Sequence, residues 1–88
     1  MDKYTLYTTA EECNEVAQMI MKVLRFGLET ESPKTLESNK EMLEKEIGQL
    51  QYCLSRTRNE LGLDYVNIQD AYDDKLINWN KWKAYYDR

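Results

Sequence analysis

Apolar side chains recur every three or four residues along most of this chain, and that spacing predicts α-helices. The first helix is predicted to begin at Thr8 or Thr9, because each threonine is followed three residues later by a glutamate, as in a capping box. Gly27 is predicted to end the helix. The stripe predicted to be buried consists of Cys13, Val16, Ala17, Ile20, Val23 and Leu24.

A joint and a second helix are predicted to follow. Residues 28–37 contain the single proline of the chain, which disfavours helical dihedrals in the residue before it. Ser38 is predicted to cap the second helix with Glu41 completing the box, and Gly62 to end it. The apolar seam of this helix consists of Leu43, Ile47, Leu50, Leu54 and Leu61.

A third helix is predicted to start near Asp64 or Asn67 and to continue to the C-terminus. One side of it would carry Ile68, Ala71, Tyr72, Leu76, Trp79, Trp82 and Tyr86. These aromatic residues are interpreted as packing or subunit-interface residues, because Trp and Tyr supply much buried area. The alternative is a platform on which a nucleobase stacks.

Size and composition favour an all-α fold in one domain, residues 1–88, built as an antiparallel helical hairpin plus a C-terminal helix. The 88 residues include three glycines and one proline, and 32% of them are charged. A chain this short buries a modest core, and small helical proteins often compensate by association. We therefore expect a homo-oligomer, a dimer or a tetramer, whose helices form a four-helix-type bundle.

Composition also excludes several kinds of chemistry. With no histidine in the chain, imidazole bases and histidine zinc sites are impossible, so a metal site would have to use carboxylates. Cys13 and Cys53 lie within apolar patterns and are predicted to be buried, reduced thiols. The net charge of −4 argues against nucleic-acid binding. Neither a signal peptide nor a membrane-spanning run is recognised, which predicts a cytoplasmic protein without membrane contacts.

Acidic residues are the candidate chemistry of the first two helices. Glu12 and Glu15 are three residues apart, and so are Glu46 and Gln49, so each pair points to one side of its helix. Packing of the two seams would bring the four side chains together, and Mg²⁺ prefers such oxygen ligands. The alternative is a solvated face, because glutamate is a good helix former and is common on helix surfaces.

The stretch "EECNEVAQMIMKVLRFG", followed by "NKEMLEKEIGQLQYCL", resembles the MazG-type all-α nucleoside triphosphate pyrophosphohydrolases, especially the short single-domain members found in bacteriophages. The family pattern is EExxE, a spacer and ExxD. Glu11, Glu12 and Glu15 match the first block and Glu46 opens the second, whereas Gln49 stands where the family has an acid. The resemblance extends from about Thr9 to the C-terminus.

This resemblance implies cleavage of an NTP or dNTP to the monophosphate and pyrophosphate with Mg²⁺ or Mn²⁺. The implied metal ligands are Glu12, Glu15, Glu46 and Gln49. The implied catalytic residues are Glu11 and Glu12, and the implied substrate-binding residues are Lys22, Arg25 and Lys75. A phage-encoded member would act in the host cytoplasm.

The amide at position 49 weakens the expected metal binding, because divalent-cation affinity depends on ligand charge. Asp70, Asp73, Asp74 or a partner subunit's glutamate could substitute for the missing acid. Two further readings therefore stay open. One is a catalytically impaired protein that binds or sequesters a nucleotide or signalling nucleotide. The other is a helical protein-interaction module.

Overall fold

The computed structural model describes residues 2–87 and contains four helices in that range. They are α1 (Lys3–Phe26), α2 (Asn39–Leu61), α3 (Tyr65–Ile77) and α4 (Trp79–Tyr86). The β pairing described is a single isolated antiparallel bridge between Glu31 and Ser38 in the joint. The predicted all-α class is confirmed.

Helix α1 begins earlier than predicted. Asp2 is the N-cap, and its side chain accepts a hydrogen bond of 2.9 Å from the backbone N–H of Tyr4. The prediction of Thr8 or Thr9 was wrong because nothing between Asp2 and Thr9 breaks a helix. Within the helix, the Thr9 hydroxyl donates instead to the carbonyl of Thr5, one turn earlier (2.7 Å).

The other three predicted boundaries of the hairpin helices are confirmed. Gly27 ends α1 with φ +87° and donates its N–H to the Val23 carbonyl (2.8 Å). Ser38 caps α2 by accepting a hydrogen bond of 3.1 Å from the Glu41 N–H. Gly62 ends α2 in the left-handed region, with φ +61°, where glycine is favoured.

Helices α1 and α2 pack against each other along their length as an antiparallel hairpin. The start of α1 meets the end of α2, where the Thr5 hydroxyl donates to Glu60 Oε2 (2.7 Å). At the closed end, the buried Asn39 side chain donates to the Gly27 carbonyl (3.0 Å). The buried side chains of residues 2–87 are mostly polar, namely Thr5, Thr9, Met19, Ser38 and Asn39.

The stripe predicted as the core of α1 is largely exposed. Val16 and Val23 are half-buried, whereas Cys13, Ala17, Ile20 and Leu24 face outward, with Leu24 73% exposed. The prediction was wrong because the stripe that α1 turns toward α2 is centred about 60° away on the helix and shares only Val16 and Val23 with the predicted one. The thiols of Cys13 and Cys53 are free, but only that of Cys53 is even half-buried, so the predicted burial of Cys13 was also wrong.

The seam predicted on α2 is only half covered. Leu43 and Leu50 are half-buried, whereas Ile47, Leu54 and Leu61 are each about 40% exposed. Because the helices are antiparallel, the exposed stripes of α1 and α2 lie on the same side of the hairpin. We call this side the apolar face; it consists of Cys13, Ala17, Ile20, Leu24, Ile47, Leu54 and Leu61.

The C-terminal segment forms two helices instead of the single helix predicted. Asp64 caps α3 as expected, accepting a hydrogen bond of 2.8 Å from the Val66 N–H. The chain then breaks at Asn78, whose side-chain nitrogen donates to the carbonyl oxygen of Asp74 (3.0 Å). Neither α3 nor α4 contains a buried residue, and neither packs extensively against the hairpin.

The molecule is flat and open for its size. Its radius of gyration is 16.0 Å, against about 12 Å for a compact domain of this length. The principal extents are 42, 39 and 15 Å, so the thickness is hardly more than that of one helix. The accessible surface of 7476 Å² exceeds the roughly 5,400 Å² expected of a folded monomer of this mass. A single layer of helices therefore leaves about 2,000 Å² of additional surface uncovered.

Candidate functional site

Three of the four predicted metal-binding residues meet where α1 crosses α2. In its hydrogen-bonding orientation, the Gln49 amide nitrogen donates to Glu12 Oε2 (3.2 Å) and to Glu46 Oε2 (3.3 Å). Glu15, one turn after Glu12, interacts with Glu46 across the hairpin. We call Glu12, Glu15, Glu46 and Gln49 the acidic cluster.

The carboxylates of this cluster repel one another. The pKa of Glu46 is raised above its usual range, first because burial disfavours the charged carboxylate and then because of the charges of Glu15 and Glu12. Hydrogen bonds with the same two side chains raise the pKa further. A positive charge or a hydrogen-bond donor placed here would relieve the repulsion, and the Gln49 amide is such a hydrogen-bond donor.

The other predicted site residues of α1 differ in how they lie relative to the acidic cluster. Lys22 lines a small groove of about 320 Å³ together with Glu15 and Glu46, so it lies beside the acidic cluster. Arg25 lies in a separate shallow depression next to Met21. Glu11 is exposed and lies about 100° around α1 from Glu12.

Side chains of α3 are held within the C-terminal segment. Lys75, predicted to bind substrate, has its Nζ 5.9 Å from the centre of the Trp82 ring. Asp73 accepts a hydrogen bond of 2.9 Å from Gln69, and Asp74 accepts one of 3.1 Å from Asn78. These contacts do not bring Lys75 or the two aspartates to the acidic cluster.

A larger groove, of about 880 Å³, runs along the hairpin on the side opposite the apolar face. It begins at the acidic cluster and extends toward the start of α1 and the end of α2. The lining residues used below are Tyr4, Thr8, Glu12, Lys45, Gln49, Tyr52 and Arg56. We call this the nucleotide-sized groove, because small-ligand sites usually measure about 300–1,000 Å³.

The α2 wall of this groove is a row of four side chains, of which only Gln49 was predicted as a site residue. Lys45, Gln49, Tyr52 and Arg56 are spaced four, three and four residues apart, which places them on one face of the helix. The same spacing identified the leucine seam, so a search for polar and aromatic residues at helical period would have found the row.

Both cations of the row are already paired. Lys45 Nζ lies 2.6 Å from Glu37 Oε2, and the hydrogen bond and charge of Glu37 raise the pKa of Lys45. Arg56 Nη1 donates to the Tyr52 hydroxyl (3.2 Å), and Arg56 Nε donates to Glu60 (3.3 Å). Lys45 and Gln49 line both grooves, so the acidic cluster lies between them.

The donor atoms of the cluster suit a hard divalent cation under one condition. Neighbouring oxygens around such an ion, bound at about 2.0–2.6 Å, lie about 2.9–3.7 Å apart, which includes the 3.2 and 3.3 Å measured from the Gln49 terminal atom. Within residues 2–87, however, no three Cys, Asp or Glu side chains are placed to hold a metal by themselves. The cluster fits the ion if Gln49 turns its carbonyl oxygen inward.

Comparison with known proteins adds no family. No protein-family model, no curated protein and no solved structure matches the chain. The MazG resemblance therefore rests on the quoted motifs and stays a prediction. In the described part of the chain, none of the helices is both long and apolar enough to cross a membrane.

Proposed function

We propose that the protein is a metal-dependent nucleoside triphosphate pyrophosphohydrolase, which cleaves NTPs or dNTPs to the monophosphate and pyrophosphate. The observation that carries the proposal is the convergence of Glu12, Glu46 and Gln49 from two helices, with Glu15 beside them. The nucleotide-sized groove opens from this point. The matching EExxE block supports the same reaction.

Within this proposal, the acidic cluster holds Mg²⁺ or Mn²⁺ through Glu12, Glu15, Glu46 and the Gln49 carbonyl oxygen. When bound, such an ion would supply charge neutralisation at the phosphates and would lower the pKa of a water. Glu11, exposed next to Glu12, orients the attacking water. An amide ligand is neutral, so affinity for the ion is lower than with a fourth carboxylate.

The substrate is proposed to lie along the nucleotide-sized groove. Lys45 and Lys22 both lie beside the acidic cluster and are the cations nearest the place proposed for the phosphates. Tyr52 and Tyr4 line the other end, where their exposed rings offer stacking surfaces for a base. Along α2, Lys45 to Arg56 spans about 16 Å. Arg25 and Lys75, implied by the resemblance, have no part in this arrangement.

The active unit is proposed to be a homo-oligomer, a dimer or tetramer in which apolar faces pack as a four-helix-type bundle. The uncovered surface of about 2,000 Å² per chain supports this assembly. A nucleotide substrate pool places the protein in the cytoplasm, or in the host cytoplasm if a phage encodes it.

A second function, nucleotide binding without hydrolysis, is favoured by the Gln49 amide. In its hydrogen-bonding orientation the amide presents a nitrogen to the carboxylates, and a nitrogen bearing hydrogens cannot bind a cation. The groove would then hold a nucleotide or signalling nucleotide and release it unchanged. A helical interaction module remains the third alternative.

The decisive experiment is release of pyrophosphate from a panel of NTPs and dNTPs with Mg²⁺ or Mn²⁺. Wild type is compared with Glu15→Ala and Glu46→Gln, and with Glu29→Gln as a control in the exposed joint. The hydrolase proposal expects activity that both cluster variants abolish and the control retains. Activity that survives in both cluster variants contradicts the proposal.

A thermal-shift screen with the same nucleotides separates the other two functions. A ligand present at 100 times its Kd adds about 2.7 kcal/mol to stability. Stabilisation without pyrophosphate release, together with a gain of activity in Gln49→Asp, supports the binding protein. An interaction module predicts no response in either assay.

A further inference from the structure

The Gln49 amide lies between two carboxylates, at a position where a positive charge would be favoured. In the orientation that its hydrogen-bonding partners require, its nitrogen lies 3.2 Å from Glu12 Oε2 and 3.3 Å from Glu46 Oε2. An amide nitrogen carries two hydrogens, enough to donate one to each carboxylate. Hydrogen bonds to ionised acceptors are stronger than those between neutral groups. One neutral side chain thereby connects two carboxylates whose negative charges repel each other.

We propose that Gln49 is a positioning residue whose amide nitrogen holds Glu12 and Glu46 together in place of a divalent cation. When a hard divalent cation binds, the carboxamide turns about its terminal bond and presents its oxygen. The ion must therefore displace two hydrogen bonds. The inference deepens the proposed function, because it explains how the acidic cluster stays assembled when metal is absent.

Substitution by glutamate tests the idea with almost no change in size. Gln49→Glu removes both N–H donors and adds a negative charge next to Glu12 and Glu46. Gln51→Glu is the matched control, since Gln51 is exposed on the same helix and the substitution adds the same charge away from the cluster. Gln49→Met removes the donors without adding charge, which separates lost hydrogen bonds from added repulsion.

The measurement is the melting temperature of each variant at neutral pH, first with a chelator and then with MgCl₂ alone, without nucleotide. With chelator, Gln49→Glu should melt at least about 4 °C below Gln51→Glu, and Gln49→Met should lie between them. Added Mg²⁺ should raise the melting temperature of Gln49→Glu by more than that of wild type, and Gln51→Glu should respond as wild type does.

Equal melting temperatures of Gln49→Glu and Gln51→Glu in chelator would overturn the proposal. So would a loss in Gln49→Glu that Mg²⁺ fails to restore. Neither readout depends on pyrophosphate release. A protein that passes both tests but hydrolyses no nucleotide would therefore contradict the proposed function while leaving the role of Gln49 supported.

Discussion

The α1–α2 hairpin has two different faces: the apolar face and the opposite, grooved face, which carries Lys45, Gln49, Tyr52 and Arg56. They differ in whether their side chains find partners within a single chain. On the grooved face, several charged side chains have partners within the same molecule. Lys45 pairs with Glu37, Arg56 contacts Tyr52 and Glu60, and the Gln49 amide bridges two carboxylates. On the apolar face, Leu24 is 73% exposed and Leu54 is 42% exposed.

This difference follows from the range of the interactions involved. A polar side chain is satisfied by one or two hydrogen bonds, which a neighbour one helical turn away can provide. An apolar side chain gains only by losing contact with water over its whole surface, at about 25 cal/mol per Å². A single layer of helices can therefore complete a polar site, but a second layer is needed to cover its apolar face.

The size of the uncovered surface agrees with pairing of two chains. If a partner covered the additional 2,000 Å² or so on each chain, the interface would total about 4,000 Å². Obligate homodimers bury about 2,000–5,000 Å². The exposed Tyr72, Trp79 and Trp82 of α3 and α4 would supply part of this area.

The largest expected effect is therefore dissociation on charging the apolar face. In Leu54→Lys, a two-fold interface carries the substitution twice. Leu54 is 42% exposed, so covering the rest of each leucine contributes only about 0.6–1.3 kcal/mol, but each lysine charge buried in its place costs several kcal/mol more. We expect association to weaken by at least about 3 kcal/mol, more than a hundredfold. Light scattering at a series of protein concentrations should show the mass of wild type halved or quartered in the variant.

Leu36→Lys provides the control for this substitution. Leu36 is 69% exposed and lies in the joint, outside the apolar face, so the mass should stay that of wild type. A wild-type protein that is monomeric at every concentration, or a Leu54→Lys variant of unchanged mass, would contradict the comparison between the two faces.

A smaller effect is expected where the two helices meet between the faces. The buried Thr9 hydroxyl donates to the Thr5 carbonyl and lies 2.9 Å from the Thr57 hydroxyl on α2. Thr9→Val keeps the shape but leaves the Thr57 hydroxyl without this partner. The cost should be about 1–2 kcal/mol of unfolding free energy.

Urea unfolding at one fixed protein concentration measures that cost, because association would otherwise contribute to stability. Thr9→Ser retains the hydroxyl and should lose clearly less. Equal midpoints for wild type and Thr9→Val would show that the polar seam between the helices does not stabilise the hairpin.

The sequence predicted the caps and ends of the helices better than it predicted which side chains are buried. Gly27, Ser38, Gly62 and Asp64 act where predicted, because caps and left-handed glycines are decided by a few neighbouring residues. The prediction of burial was wrong at Ile20. Hydrophobic spacing shows which stripe of a helix is apolar, but it does not show whether the same chain covers that stripe. Most of the stripe that was predicted to be buried on α1 instead forms part of the exposed apolar face.

The predicted site residues show the same contrast. Those whose positions follow from local spacing lie together, whereas one whose position depends on long-range packing does not join them. Glu12, Glu46 and Gln49 are brought together because two short-range spacings combine with one helix crossing. Lys75 is not near them, because its position depends on how α3 packs, and that packing is not encoded in a local pattern. The groove residue Arg56 was not predicted, because the predicted site followed the spacing of acidic side chains and the family pattern, and neither includes this arginine.

The smallest expected effect concerns one hydrogen bond at the open end of the hairpin. The Thr5 hydroxyl donates to Glu60, and this contact is the main cause of the lowered pKa of Glu60, with Arg56 adding to it. Thr5→Val should raise the pKa of Glu60, whereas Thr5→Ser should keep it low. Carbon-detected NMR of the Glu60 carboxyl across an acid titration measures both.

A lowered carboxyl pKa stabilises the folded chain above the unfolded value, near 4.5, and that contribution disappears as the pH falls through the folded pKa. Thr5→Val should therefore lose less stability than wild type on acidification through this window, while being less stable at neutral pH. An unchanged Glu60 titration in Thr5→Val would show that the contact with Thr5 does not set this pKa. The grooved face would then depend on ion pairs and not on contacts between the two helices.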